Sequence, residues 1–294
     1  MTVGARAREL AALQEDLARA GYIAEPSLAA ALLLMQELGR PLLLEGDAGV
    51  GKTEVAKVLA SIREARLIRL QCYEGLDAHA AMYEWNYQRQ LLAIKLLEHD
   101  ERGIEQKEQD VFSERYLLKR PLLEAISSAT APVLLIDEID RADEAFEAFL
   151  LELLSDFQIT VPELGTIRAK HVPYVILTSN RSRELSDALK RRCLYHWIDY
   201  PSFETEMKIV HARLPHVEKE LARQVVHLVQ AVRGLELSKP PGVAETLDCA
   251  RAASALGKHA LDVETVEQTI GCVVKSMEDS AALKAAGIDN LLSK

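Results

Sequence analysis

Short apolar runs alternate with longer helical stretches over the first 200 residues. The runs are rich in Leu, Ile and Val, which is typical of strands that are buried on both faces of a parallel sheet. Between them, apolar residues recur at helical spacing, as expected of crossover helices. The pattern predicts an α/β domain over residues 1–200, with strands at 42–44, 67–70, 133–136, 174–179 and 194–198.

From Pro201 onward the apolar periodicity is helical only. One helix runs to Gly234, the stretch SKPPGV interrupts the chain, and further helices are predicted over 244–256 and 264–279. A smaller all-α domain over residues 201–294 therefore follows the sheet domain.

Charge disfavours a polyanion as the main partner. Lys and Arg number 35 against 45 Asp and Glu, a net charge of −10, which disfavours nucleic acid and acidic membranes as main partners. No apolar run reaches the roughly 20 residues of a membrane span, and MTVGARAREL lacks an apolar signal core. We expect a cytoplasmic protein with no membrane span. The four cysteines lie far apart, without CxxC or metal-ligand spacing, and are expected to be reduced and buried.

A phosphate-binding loop lies between the first predicted strand and the next helix. Residues 46–53 read GDAGVGKT, the pattern in which glycines let backbone N–H groups point at phosphate oxygens. Lys52 can reach the β and γ phosphates of ATP, and the Thr53 hydroxyl can ligate Mg²⁺. The candidate ATP-binding residues are Gly46, Asp47, Ala48, Gly49, Val50, Gly51, Lys52 and Thr53.

Acidic residues follow the apolar run VLLI in APVLLIDEID, where a parallel sheet presents its ligand-binding edge. Asp137 is the second candidate Mg²⁺ ligand. Glu138 is the candidate base that orients and deprotonates the water attacking the γ phosphate. For Asp140 and Arg141 two interpretations stay open, an exposed surface pair and a role at a subunit contact.

Two later positions complete the candidate catalytic set. Asn180 follows the strand YVILTS and can reach toward the γ phosphate and the attacking water, although an asparagine there also serves as a simple strand cap. Two arginines precede the last strand, where the ATP of a neighbouring subunit could meet them. An arginine supplied in trans neutralises transition-state charge. We favour Arg192 over Arg191 because the Arg192-Cys193 pair resembles the arginine-finger motif of several AAA+ groups.

These motifs resemble the MoxR group of AAA+ ATPases over most of the chain. The matching stretches are GDAGVGKTE, VLLIDEIDRA, TSN and LSDALKRRC, and residues 71–98 look like the CoxD-type branch. The resemblance implies a P-loop AAA+ sheet domain with a helical lid, assembled as a ring, usually a hexamer. It also implies a β-hairpin over residues 157–169, a partner carrying a von Willebrand factor A domain, and a client metalloenzyme of the molybdenum hydroxylase (carbon monoxide dehydrogenase) kind.

One part of the chain departs from the AAA+ pattern. Many AAA+ proteins carry a second sensor arginine at the start of a lid helix, but this chain has Glu245 near that place, with Lys239 before it and Arg251 deeper in the helix. Tyr22 and Ile23 are candidates for adenine contacts.

The aromatic cluster Tyr73, Tyr83, Trp85 and Tyr87 is open to two interpretations, a client-gripping surface and internal packing.

Three functions are compatible with these motifs. The first is a ring-forming ATPase that remodels or matures a partner protein. The second is an AAA+ loader or helicase-type ATPase acting on nucleic acid, and the acidic charge counts against it. The third is a P-loop kinase for a small molecule, for which the sequence shows no acceptor-site motif.

Overall fold

The computed structural model describes residues 3–97 and 102–292. These residues form two compact units that are not contiguous in sequence. The sheet unit comprises Ser27–Glu45 and Leu59–His196. The loop-and-lid unit comprises the residues up to Pro26, Gly46–Val58 and the residues from Trp197 onward.

A five-stranded sheet is the centre of the sheet unit, and it confirms the predicted α/β fold. The strands are β1 (Leu42–Glu45), β2 (Leu67–Gln71), β3 (Tyr83–Trp85), β4 (Leu117–Lys119), β5 (Val133–Asp137), β6 (Gln158–Val161), β7 (Gly165–Arg168), β8 (Tyr174–Ser179) and β9 (Leu194–Trp197). The order in the sheet is β2-β5-β8-β1-β9. The β2–β5, β5–β8 and β8–β1 pairs are parallel, so the carboxyl ends of these strands lie along one edge. Every residue of β5 is buried, as its uninterrupted apolar pattern predicts.

Helices account for most of the rest of the described chain. Those before β5 are α1 (Val3–Arg19), α2 (Pro26–Leu38), α3 (Lys52–Ile62), α4 (Ala78–Met82), α5 (Tyr87–Leu96), α6 (Ile104–Val111) and α7 (Pro121–Ile126). Those after it are α8 (Glu144–Asp156), α9 (Asp187–Arg192), α10 (Phe203–Arg213), α11 (Lys219–Arg233), α12 (Val243–Ala255), α13 (Val263–Val273), α14 (Met277–Ala286) and α15 (Ile288–Leu292). Among the described residues, no helix has both the length and the apolar character needed to cross a membrane.

Two small antiparallel strand pairs extend the sheet unit. The predicted hairpin at 157–169 is confirmed, because β6 and β7 pair antiparallel from Gln158–Arg168 to Val161–Gly165. A second antiparallel pair, β3–β4, joins strands that are separated by α5 and α6, and it is not evident from the sequence. It explains part of the aromatic cluster: Trp85 is buried and meets the Phe112 ring edge-on at 5.5 Å. Tyr73 and Tyr87 are exposed. Part of the cluster therefore packs internally and part lies at the surface.

The lid core consists of apolar side chains from α10 to α15. Among the described residues, the lid core contains one buried ion pair, between Glu206 on α10 and Arg233 on α11. The predicted helix over 264–279 is wrong in extent. It ends at Val273, and α14 begins after Ser276, whose side chain accepts a hydrogen bond from the Asp279 N–H at 3.0 Å. This serine cap begins a new helix.

Candidate functional site

The phosphate loop has the strand–loop–helix setting that the sequence predicts. It follows β1, and Lys52 is the first residue of α3. The Lys52 side chain is buried, and its Nζ donates to the carbonyl oxygens of Gly46 at 2.7 Å and Asp47 at 2.6 Å. The ammonium group therefore lies inside the loop, where it would meet phosphate oxygens.

Glycines are required at three positions of this loop. Gly49 and Gly51 have φ angles of +81° and +96°, in the left-handed region that favours glycine. A Cβ on Gly46 would lie 2.2 Å from the carbonyl oxygen of Ile198. The backbone thus has the tight curl that a phosphate cradle needs, and its fit to the triphosphate of ATP rests on this curl together with the buried lysine.

Tyr22 lies beside the same loop. An ideal Cβ on Gly51 would be 3.7 Å from the Tyr22 ring, and burial, followed by the charges of Glu54 and Glu25, raises the pKa of the Tyr22 hydroxyl. Glu54 pairs with Arg213 of α10 and, at 3.1 Å, with Lys57. Burial opposes ionisation of Glu54, but hydrogen bonds from these cations hold its pKa below the usual value. Tyr22 thus lies next to the phosphate loop, and its contact with adenine stays a prediction.

The start of α12 contacts the phosphate loop directly. The Val243 N–H donates to the Gly49 carbonyl at 3.0 Å. Glu245, which stands near the place expected for a second sensor arginine, uses its Oε2 to accept the Gly242 N–H at 2.9 Å. Glu245 therefore caps α12 locally.

In the sheet unit, Asp137 is buried at the end of β5. Its Oδ1 accepts a hydrogen bond from the Thr178 hydroxyl at 2.5 Å, and its Oδ2 accepts one from Arg69 Nη2 at 2.6 Å. A hard carboxylate at a strand end is a suitable Mg²⁺ ligand. In this structure the Arg69 guanidinium neutralises its charge.

Glu138 has an unusual backbone conformation and several donors around its carboxylate. Its φ of +55° places it in the left-handed region, a conformation that costs energy for a residue other than glycine. Arg141 Nε lies 2.8 Å from Oε2, and Gln71 Nε2 donates to the same oxygen at 3.1 Å. The Asn180 amide approaches Oε1 at 3.5 Å. Glu138 and Asn180, predicted separately from different strands, thus lie together.

Cys72 lies close to the carboxylates of this region, and they affect the pKa of its thiol. Its thiol is buried, and burial, followed by the charges of Asp137, Asp140 and Glu138, raises its pKa to about 12. The thiol is therefore protonated and unreactive at neutral pH.

The surface-pair interpretation of Asp140 and Arg141 is wrong. Asp140 is only 2% exposed, and its Oδ2 accepts the Ser182 N–H at 2.8 Å and the Ser182 hydroxyl at 2.6 Å. Arg141 pairs with Glu138 and not with Asp140. Asp140 instead holds the chain that follows Asn180.

The two candidate arginines differ in their contacts. Arg192 Nε donates to the Ser155 hydroxyl of α8 at 2.6 Å, and its Nη1 donates to the Ala188 carbonyl at 3.3 Å. The Arg191 side chain is exposed and has no hydrogen bond or ion pair among the described residues. The structure thus shows both arginines at the surface of α9, and of the two only Arg192 has side-chain hydrogen bonds among the described residues.

Comparison with protein families decides the classification. Residues 41–193, slightly more than half of the chain, match the family described as AAA domain (dynein-related subfamily). The chain belongs to this family. It is therefore an AAA+ ATPase, with a P-loop sheet fold and a C-terminal helical region.

Named relatives of this AAA+ ATPase are distant. Gas vesicle ATPase GvpN1 of Halobacterium salinarum is 27% identical over 80% of this chain and 66% of the relative. Chaperone protein ClpB of Chlamydia trachomatis is 28% identical over 55% of this chain and 17% of the relative. Uncharacterized protein YehL of Escherichia coli is 25% identical over 88% of this chain and 76% of the relative. The chain thus spans just under two thirds of the first and a sixth of the second.

Among solved structures, the Thermotoga maritima RuvB Holliday junction branch migration motor is similar to this AAA+ ATPase. The likeness covers 88% of this chain and 73% of that one, with 19% identity and a TM-score of 0.47.

Several polar partners in the AAA+ site were not evident from the sequence. Arg69 and Gln71 lie on β2, opposite Leu135 and Asp137 of β5. An arginine inside the apolar run LIRL is a signal that could have identified Arg69, because a charged residue in a buried strand needs a partner. Arg213 carries no such signal, since it ends an ordinary amphipathic helix.

Proposed function

We propose that this ATPase assembles into a ring and uses ATP hydrolysis for chaperone-like remodelling or maturation of a partner protein. One observation carries the hydrolytic part of the proposal: Glu138, in its left-handed conformation, has its carboxylate against the Asn180 amide beside the buried Asp137. In this proposal Glu138 is the general base and Asn180 orients the attacking water. The phosphate loop, through Lys52, binds the β and γ phosphates.

Thr53 and Asp137 would hold Mg²⁺, since a hydroxyl and a carboxylate are the hard oxygen ligands that this ion prefers. When bound, Mg²⁺ would neutralise charge that develops on the phosphate oxygens. The chain's own residues keep Asp137 oriented, because Thr178 and Arg69 donate to its two oxygens.

The partner part of the proposal rests on relatives and on motif resemblance. ClpB is named a chaperone protein, and residues 71–98 resemble the CoxD-type branch. We infer a hexameric ring, a partner with a von Willebrand factor A domain, and a client enzyme of the molybdenum hydroxylase class. We also retain residues 1–200 and 201–294 as the nucleotide-binding and lid domains.

ATP turnover per subunit, measured from dilute to concentrated protein, tests the ring. Turnover should rise steeply with concentration, because active sites that need a neighbour's arginine form only between subunits. Glu138→Gln should bind ATP normally and hydrolyse it about 100- to 10,000-fold more slowly, the range for loss of a general base. Lys52→Ala should lose ATP binding itself.

Three outcomes would contradict the proposal. A monomer with full turnover at the dilute end would exclude the ring. Near-normal turnover of Glu138→Gln would remove this residue as the base. Retained ATP affinity in Lys52→Ala would show that the phosphate loop is misassigned.

A further inference from the structure

Residues 182–186 join the candidate catalytic cluster to the helix that carries the two candidate arginines. This connecting segment begins two residues after Asn180 and ends at Ser186, the cap of α9. The Ser186 hydroxyl accepts the Leu189 N–H at 3.3 Å. Any displacement of the connecting segment would therefore move α9 and its arginines.

Two buried carboxylates hold this segment from the opposite side. Asp140 accepts the N–H and the hydroxyl of Ser182 at one end. Glu147, on α8 and only 1% exposed, accepts the Ser186 N–H at 2.9 Å at the other end and pairs with Arg183. Arg183 also donates to the Ala142 carbonyl at 2.6 Å. The segment is thus fixed at both ends to the loop and helix that follow Glu138.

Burying two carboxylates costs free energy that only well-formed hydrogen bonds offset. The offset is incomplete at Asp140, whose Oδ1 is buried without a hydrogen-bond partner among the described residues. Apolar side chains would pack the same space at a lower cost, so stability alone does not account for the pair. What the two carboxylates provide is a fixed geometry between Glu138 and α9.

We propose that Asp140 and Glu147 are positioning residues that couple a subunit's own ATP site to the arginines it presents to its neighbour. Asp140 lies two residues after Glu138, so a change in the strained backbone at Glu138 passes to Ser182. Glu147 fixes the start of α9, and the Arg192 side chain rests on Ser155 of the same α8. The inference rests on the proposed function, because it assumes that α9 acts in trans.

The test separates a subunit's role as arginine donor from its role as the hydrolysing partner. Glu147→Gln subunits alone should turn over ATP about 100-fold more slowly than wild type, the loss expected when a catalytic group is displaced by about 1 Å. In an excess of Lys52→Ala subunits, which keep intact arginines but lack a working site, each Glu147→Gln subunit gains an intact donor. Its turnover should return to that of wild-type subunits in the same excess.

Glu184→Gln is the matched control. Glu184 lies in the same connecting segment, but its side chain is 88% exposed and pairs with Lys190 at the surface. The same chemical change at this position should leave turnover unchanged, alone and in mixtures. Sizing of every mixture verifies that subunits co-assemble.

Thermal melting would reveal whether Glu147→Gln misfolds. If it does, a second variant tests the same inference. Arg183→Lys keeps the positive charge, but one ammonium group cannot reproduce the guanidinium fork, in which Nη2 bonds Glu147 and the Ala142 carbonyl while Nη1 bonds the Glu184 carbonyl. It should show a smaller donor defect with the same recovery.

A slow Glu147→Gln or Arg183→Lys subunit that gains nothing from excess Lys52→Ala would overturn the inference, as would wild-type turnover of these variants alone. The double variant Arg191→Ala/Arg192→Ala separates this failure from failure of the proposed function. If the double variant is slowed and recovers in the mixture while Glu147→Gln does not, only the coupling is wrong. If the double variant is not slowed, or is slowed without recovery, trans catalysis itself is wrong.

Discussion

Gly49 in the phosphate loop and Gly242 at the start of α12 lie so close that neither has room for a side chain. A Cβ on Gly242 would be 2.6 Å from the Gly49 Cα, and a Cβ on Gly49 would be 2.9 Å from the Gly242 Cα. The hydrogen bond from the Val243 N–H to the Gly49 carbonyl depends on this approach. Backbone contact therefore links the lid helix to the loop where many AAA+ proteins place an arginine.

Gly242→Ala should weaken ATP binding by about tenfold, which corresponds to ~1.4 kcal/mol. The added methyl group displaces either α12 or the phosphate loop, although the φ of −87° at Gly242 is itself acceptable for alanine. Equilibrium binding of a fluorescent ATP analogue measures the effect. Gly271→Ala is the control, since a Cβ there meets nothing within 4 Å. Unchanged affinity in Gly242→Ala would show that this contact is not needed for nucleotide binding.

Arg69 bonds Asp137, the carboxylate that would hold Mg²⁺ in the proposed function. Arg69→Gln should lower the Mg²⁺ concentration for half-maximal turnover by about threefold to tenfold, because removing a nearby positive charge favours a divalent cation at the carboxylate. Titration of Mg²⁺ at saturating ATP measures the shift. Arg66→Gln removes an exposed arginine just before the same strand, where it pairs with Glu124, and should not shift the titration. A higher Mg²⁺ requirement in Arg69→Gln would mean that Arg69 instead organises the metal site.

The contacts of α9 allow Arg191 and Arg192 to be tested against each other. Arg192→Ala removes a side chain that bonds Ser155 within its own subunit, whereas Arg191 has no such contact among the described residues. Loss of the arginine that acts in trans should leave ATP affinity unchanged and slow turnover about 1,000-fold or more. Separate measurements of affinity and turnover for Arg191→Ala and Arg192→Ala identify the residue. We expect Arg192; a slow Arg191→Ala with normal Arg192→Ala would reverse the assignment.

The sequence predicts the sheet well because each central strand is a continuous apolar run. The five predicted strands agree with β1, β2, β5, β8 and β9 to within one residue at each end. The phosphate loop can also be predicted from sequence, since its glycines are needed for the local backbone conformation of the loop. Burial on both faces of a strand requires a continuous apolar run, and positive φ angles favour glycine, so both features can be recognised in the sequence.

Contacts between polar side chains that are distant in sequence are harder to predict from the sequence. Asp140 in DEIDRA has the appearance of an exposed acid, because its partner Ser182 lies on another strand's loop and only the fold brings the two together. The pairing of Arg213 with Glu54 spans 159 positions and has no local signature. The break between α13 and α14 is not visible in the sequence, because the helical pattern of apolar residues continues across it. The Ser276 cap, a local hydrogen bond, begins a new helix there.

Burial should make three of the four cysteines unreactive in the folded protein. It raises the pKa values of Cys72 and Cys193 to about 12 and of Cys249 to about 11. Thiolate forms only near those pH values, so at pH 8 a thiol reagent should label Cys272 first, which is half-buried. Mass spectrometry of labelled peptides measures this order, and urea should expose all four. Equal labelling of Cys72 and Cys272 in the folded protein would contradict the buried placement of Cys72.

The buried pair Glu206–Arg233 should matter for stability far more than an exposed pair of similar geometry. Arg233 donates to both Glu206 oxygens, at 2.6 and 2.7 Å, and Thr246 and Gln230 also donate to this carboxylate. Glu206→Ala would leave the guanidinium buried without its counter-charge, which costs about 3–5 kcal/mol of unfolding free energy. Glu220→Ala removes an exposed carboxylate that Arg223 also contacts with two nitrogens, and solvent should compensate for its loss. Urea denaturation measures both, and equal losses would show that burial does not set the strength of the lid pair.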